Sequence, residues 1–267
     1  MCVCIAAGKL VNTIVLAAEA ELNGRRVHVM GYENRPLSFS GPNAMILPIP
    51  ATPGTVTQDA LIPTDAFPHV LQDMARAIRP VTRGFFPKWR GVPEVVVFEH
   101  GIYTVVLAQH ARAVPDALHL VPEAKRPPRN APLFDAYDRW YPDWAIAVCC
   151  FDNAEAGNAS PILLTYEPAQ PAYLFAPGLD CHTGDVPDLS ATVAIDHAVV
   201  LSAIGMEGGK AVQYTDPIPD HVRAILPAHV IGAQWRLPLP NGDWRTPVDA
   251  VRAGLFDVRA RVVPPFV

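Results

Sequence analysis

Short apolar runs separated by turn residues dominate the first part of the chain, and they predict β-strands. Residues 2–7 and 13–22 form two such runs. The second is followed by Asn23-Gly24, the dipeptide most typical of a two-residue hairpin turn, and then by a returning strand at 25–32. The chain therefore opens as an antiparallel sheet.

A long uncharged stretch at 36–58 follows this hairpin. Within it, residues 44–47 are an apolar run that predicts a buried strand. Pro48 and Pro50 lack the N–H that a central strand donates, so they place the end of this strand at a sheet edge or a bulge. A neutral segment of this length is covered only if the rest of the chain folds around it.

Helical spacing of apolar residues recurs along the chain and predicts several helices. In the first, Thr64 or Asp65 is the expected cap; in the last, Thr246 is the expected cap and Gly254 lies just past the end. The predicted helices cover 65–79, 115–120, 131–141, a segment at 219–230 interrupted at Pro227, and the segment that begins after Thr246.

The remaining apolar runs predict further strands and fix the fold class. A hairpin is expected at 94–98 and 102–108 with its turn at Glu99-His100-Gly101. Other strands are expected at 144–151, 161–166, 173–176, 192–195, 199–204 and 211–214. We therefore expect an α+β fold, with a mainly antiparallel sheet built from hairpins and helices packed to one side. One domain over 1–267 is predicted, with a possible subdomain link near 123–130.

The amino-acid composition and net charge argue against some classes of function. Half of the 267 residues are hydrophobic and 18% are charged, against about 25% in an average protein, so the core is large or an apolar surface is covered by a partner. A net charge of −5 speaks against a nucleic-acid binder. No apolar run is long enough for a membrane span, and the N-terminus has no basic region of a secretion signal. We expect a cytoplasmic protein with reduced cysteines.

Several motifs resemble those of a known family. They are Cys2 and Cys4 near the N-terminus, Val11-Asn12 at the start of a hairpin, Leu47-Pro48-Ile49-Pro50 at a strand end, and the two segments 101–107 and 160–167. In this pattern the chain resembles an uncharacterised bacterial family, domain of unknown function 2330, over about residues 2–205. The resemblance implies that the last two segments are inner strands. It implies no reaction.

Cys2 is the first candidate for catalysis. After removal of Met1 it would be an N-terminal cysteine whose own amine serves as the base for the thiol, as in N-terminal-nucleophile amide hydrolases. Arg25 or Arg26 near the hairpin, and Asn43 as an oxyanion donor, would be its helpers. The Gly-Arg-Arg-Val turn lacks the aspartate expected after the arginine, and a retained Met1 would block the amine. The other interpretation is that Cys2 is a small apolar residue of a buried strand.

The polar segment 180–185 holds a second candidate. Cys181 and His182 could form a Cys–His pair or supply a general acid, and a polar loop beside a sheet explains them equally well. A zinc site is the third reading; its ligands would come from Cys2, Cys4, Cys149, Cys150, Cys181 and His182. Adjacent Cys149 and Cys150 point to opposite faces of a strand, so buried free thiols are the simpler interpretation. We expect no metal and no cofactor.

Two classes of function follow. One is a soluble, non-catalytic binding or assembly domain that acts through an apolar surface, with self-association or a protein partner. The other is an amide hydrolase that uses Cys2. The first is favoured because the charge is low and no complete catalytic constellation is visible in the sequence.

Overall fold

A computed structural model describes residues 3–8, 10–36, 41–78, 97–155 and 159–265. The described strands are β1 Leu10–Leu22, β2 Arg25–Pro36, β3 Pro42–Ile49, β4 Val97–His100, β5 Tyr103–Ala108, β6 Ala145–Asp152, β7 Ile162–Tyr166, β8 Tyr173–Ala176, β9 Thr192–Ala194, β10 His197–Ser202, β11 Lys210–Ala211, β12 His229–Trp235, β13 Pro238–Pro240 and β14 Trp244–Pro247. The described α-helices are α1 Val70–Ile78, α2 Val114–Ala117, α3 Ala131–Trp140, α4 Asp220–Arg223 and α5 Val248–Arg252.

The larger sheet has six strands in the order β11-β12-β10-β1-β2-β7. Its β1–β2 hairpin turns at Asn23 and Gly24, whose φ angles of 52° and 74° are those that a type I′ turn requires. β1 pairs with β10 in parallel, and every other pair between described strands is antiparallel. The predicted α+β class with a mainly antiparallel sheet is confirmed.

Both faces of this sheet are buried, because side chains alternate between two core clusters along each strand. On β1, Val15 and Ala17 join the main cluster with the four-stranded sheet, whereas Leu16 and Ala18 join a second cluster with α1 and α4. Gly31 allows α1 to approach, since a Cβ there would lie 2.6 Å from Leu71 Cδ2. Burial on both sides explains why β1 is almost continuously apolar.

The smaller sheet has four strands in the order β3-β6-β5-β4. β3 is its edge strand and contains Pro48, which agrees with the placement expected from the prolines. The turn of the β4–β5 hairpin lies at Gly101-Ile102, later than predicted, and residues 94–96 of the predicted strand lie outside the described residues. β5 is an inner strand, but β7 is at the edge of the larger sheet, unlike the inner position implied by the family resemblance.

Two predicted segments differ from the structure, the first strand and the first helix. Val3 and Cys4 form isolated bridges instead of a full strand. The first helix begins at Val70, because the predicted caps bond elsewhere: Thr64 Oγ1 donates to the Pro161 carbonyl at 2.6 Å, and Ser160 Oγ donates to Asp65 Oδ1 at 3.1 Å. Hydrogen bonds to residues distant in the sequence thus occupy the two side chains that were expected to cap the helix.

Two helix predictions near the C-terminus are correct only in part. The segment 219–230 holds the one-turn helix α4, and its end belongs to strand β12, which pairs with β10. Thr246 is not a helix cap; it lies in β14 opposite Leu174, and α5 begins after Pro247. Pairing with distant strands overrides the local signal at both places.

The proline-rich link at 123–130 contains a short 3-10 turn, Glu123–Lys125. Val121 before it and Leu133 after it belong to the same core cluster. Within the described ranges no helix has the length and apolar character that crossing a membrane requires.

Candidate functional site

The segment 3–8 is inserted between β3 and the loop that follows β8. Ile46 N donates to Val3 O at 3.2 Å, and Ile5 N donates to Ala44 O at 3.1 Å. On the other side, Cys4 N donates to Cys181 O at 3.0 Å. This arrangement, which we call the N-terminal junction, brings the neighbourhoods of the two predicted candidates, Asn43 and Cys181, onto one short segment.

Asn43 holds this segment through its side chain. Its Oδ1 accepts from Ala6 N at 3.0 Å and from Ala44 N at 2.8 Å, and its Nδ2 donates to Ala6 O at 3.3 Å. The residue is 1% exposed. Both acceptor positions of the amide are occupied by backbone N–H groups, so Asn43 acts as a clamp on Ala6.

Residues 180–185 form the other wall of the junction. His182 Nε2 lies 3.0 Å from Asp180 Oδ1, so the imidazole faces a carboxylate and not the neighbouring thiol. Cys181 Sγ lies 3.2 Å from Thr183 Oγ1, which itself donates to Asp185 Oδ2 at 2.6 Å. Since the Thr183 proton goes to Asp185, the thiol is the donor in the first bond. The predicted Cys–His pair is therefore not formed.

Gly184 fits this wall against the segment. Its φ is +87°, and a Cβ on it would lie 2.7 Å from Ile5 O. The carbonyl of Gly184 also accepts from the Asn130 side chain, and His182 O accepts from Gly8 N at 2.9 Å. The loop is thus fixed by backbone bonds and close contact, which suits a structural role.

Arg25 is placed far from this junction. It is exposed at the tip of the β1–β2 hairpin, opposite Leu22. The chain enters β1 at Leu10, at the other end of a 13-residue strand. At about 3.3 Å per residue, about 40 Å of strand separates the two ends. The structure does not bring Arg25 together with Asn43, and Cys2 lies outside the described residues.

The other described thiols are in the core. Cys4, Cys149 and Cys150 are fully buried, and none of the four described cysteines forms a disulfide. Burial raises the pKa of Cys150 to about 12, and the Glu99 carboxylate adds to this effect. In the part of the chain that the structure describes, no three His, Cys, Asp or Glu side chains come together as a metal site would require.

Sequence reasoning missed the buried carboxylate of Asp243. It accepts from Tyr141 Oη at 2.7 Å, from Gly178 N at 2.7 Å and from Leu179 N at 3.0 Å. Burial raises its pKa, and these hydrogen bonds act in the opposite direction. Asp243 therefore fixes the backbone that leads into the 180–185 loop. The available signal was the polar triplet Asn-Gly-Asp directly before a tryptophan.

Comparisons with known proteins concern the fold alone. The chain matches no protein-family model and no curated protein. A crystal structure of baculovirus P35 is similar, with 11% identity and a TM-score of 0.44 over 73% of this chain and 64% of that chain. Two structures of a mutated baculovirus P35 after caspase cleavage have 10% and 13% identity and TM-scores of 0.40 and 0.37. The first match spans under two thirds of the P35 chain, and we transfer no functional residue from it.

Proposed function

We propose that this chain is a non-catalytic domain that works by association, with a second copy of itself as the partner. The proposal is supported by the use that the described residues make of their polar side chains. Asn43 clamps backbone, His182 faces Asp180, and the thiol of Cys181 donates to a hydroxyl. Each of these groups is thus directed at another group of the protein.

Exposed apolar side chains near the C-terminus carry the proposal. Leu255 and Leu237 are 63% and 60% exposed, the highest values among the large apolar residues that the structure describes. Leu237 follows β12 by two residues, and the Arg259 guanidinium lies 5.1 Å from the Trp235 ring at the end of that strand. We call these adjoining segments, residues 235–237 and 255–259, the C-terminal corner.

The C-terminal corner has properties expected of a protein–protein contact surface. Beside it lies an open groove of about 330 Å³, whose lining combines the apolar residues Pro247, Ala250, Leu255, Phe256 and Ala260 with Arg245, Thr246 and Asp257. A single exposed leucine is ordinary, but Leu255 lines this groove, and apolar side chains at a concave surface with a polar rim are typical of interaction sites. The low charge of the whole chain, 18%, is consistent with a surface that is covered in the assembled state.

Sedimentation velocity over a wide concentration range tests the proposal. We expect the mass to rise from 28.9 kDa towards twice that value, and Leu237→Glu to shift the midpoint to at least tenfold higher concentration. Leu120→Glu is the matched control, since Leu120 is 47% exposed on a 3-10 turn outside the C-terminal corner and should leave association unchanged. A wild-type chain that stays at 28.9 kDa at millimolar concentration would contradict the proposal.

A second candidate function is the amide hydrolase with Cys2. One observation favours it: the segment that follows Cys2 is held firmly, by Asn43 and by the 180–185 loop. Intact mass gives the first test, because a retained Met1 blocks the amine that the mechanism needs. If Met1 is removed, our proposal expects Cys2→Ser and wild type to behave alike on a panel of amides.

A further inference from the structure

Strand edges expose unpaired N–H and C=O groups, and proteins usually protect them. Most edges of the described sheets are protected here. Residues 3–5 cover β3, and Ile62 N donates to Leu163 O on β7 at 2.8 Å. β13 contains two prolines, and β4 carries Glu99, which pairs with Lys125 Nζ at 2.9 Å. One further long edge of the described sheets has no such protection.

That edge is the outer side of β12. On its inner side, β10 pairs with every residue from Ile231 to Trp235. On its outer side, β11 pairs only with His229 and Val230 among the described residues. The sequence from 231 to 235 is Ile-Gly-Ala-Gln-Trp, without charge or proline. It therefore lacks the charged and proline residues that discourage pairing with another chain.

The side chains of this stretch suit pairing with a copy of itself. Ile231, Ala233 and Trp235 pack against the main core cluster and share one face, while Gly232 and Gln234 are on the other. In an antiparallel pair with its two-fold axis at Ala233, Ile231 of each copy faces Trp235 of the other. Aromatic and β-branched cross-strand pairs are favourable.

We propose that two copies of this chain associate by antiparallel pairing of β12 about a two-fold axis at Ala233, which joins the two six-stranded sheets into one. This inference rests on the proposed function and names its geometry. Such an interface is isologous and closes as a dimer, so it does not lead to fibres. The adjoining Leu237 side chains, 60% exposed, would be partly covered in the same contact.

Disulfide trapping tests the geometry. Facing residues of an antiparallel pair have Cα atoms about 4.5–5.5 Å apart, within the range of a disulfide. Ala233→Cys should therefore give a covalent dimer with oxidised glutathione, at least tenfold faster than wild type with its native cysteines. Leu237→Cys is the matched control: its two copies would be eight residues apart along the ladder, about 27 Å, and should not cross-link.

A second variant tests the same pairing geometry without an oxidation step. Gln234→Lys puts a charge on each edge beside the axis and should keep the chain at 28.9 kDa where wild type associates. Equal trapping at 233 and 237, or dimers of Gln234→Lys as tight as wild type, would overturn the β12 geometry while association itself stands. A wild-type chain that does not associate would remove the proposed function as well.

Discussion

His28 makes the stability of this fold depend on pH. It lies on β2 with 1% of its surface exposed, and its ring meets the Tyr166 ring edge-on at a centroid distance of 5.7 Å. Burial lowers the pKa of His28 from 6.5 to about 4, although the Glu19 carboxylate and the Pro171 carbonyl favour the protonated form. The folded protein therefore keeps this imidazole neutral at pH values where the unfolded chain protonates it.

Proton linkage gives the sign and the size of this pH effect on the free energy of unfolding. Below pH 6.5 the unfolded chain binds a proton at His28 and the folded chain does not, so stability present above 6.5 is lost as the pH falls towards 4. The loss is at most about 1.36 kcal/mol for each pH unit, and about 3.4 kcal/mol in all. Between pH 7.5 and 5.0 this corresponds to about 2 kcal/mol.

Urea unfolding at pH 7.5 and 5.0 measures the effect. We expect the free energy of unfolding of wild type to fall by about 2 kcal/mol more than that of His28→Gln, which cannot titrate. His100, whose pKa is also lowered by burial, contributes equally to both proteins and cancels. His221→Gln is the control, since His221 is exposed on α4. Equal losses in wild type and His28→Gln would refute the reasoning.

Two further predictions concern packing and charge. The new Cβ of Gly184→Ala would collide with the N-terminal segment, whereas Gly54, with a φ of +76°, has open space around it. By thermal unfolding we expect Gly54→Ala to lower the free energy of unfolding by about 1 kcal/mol, and Gly184→Ala to lower it by about 1–3 kcal/mol more. Equal losses in the two variants would exclude the close contact. The Glu19 carboxylate, 3% exposed, pairs with Arg252 at 2.8 Å and with Arg26 at 2.9 Å. In urea unfolding, Arg252→Met should lower the free energy of unfolding by about 1–3 kcal/mol, and Arg26→Met should lower it clearly less because Arg26 is the more exposed partner. The reverse order would contradict this assignment.

Local signals were enough for parts of the fold. Asn23-Gly24 predicted the β1–β2 hairpin because its two residues tolerate the positive φ angles of that turn. The apolar spacing at 131–141 predicted α3, which spans Ala131–Trp140. Pro48 and Pro50 indicated the edge position of β3, because a proline cannot donate to a second neighbour.

Other elements depend on partners that are distant in the sequence. The apolar spacing of Val222, Ile225 and Leu226 favours a helix, yet the chain just beyond them becomes β12 because β10 offers it a ladder. The same applies to the candidate site. Asn43 was predicted as an oxyanion donor from its residue type, but its contacts with Ala6 exist only once segment 3–8 lies on β3.

The parallel pair β1–β10 has a consequence for how the protein is made. Thr13 faces His197, so the central strand of the larger sheet leaves the ribosome long before its neighbour is synthesised. At about 5–20 residues per second, β1 waits roughly 10–40 s for β10. During that time the edge of β1 that will pair with β10 has no partner strand, and nascent chains of this protein should depend on chaperones to a degree that a locally paired sheet would not.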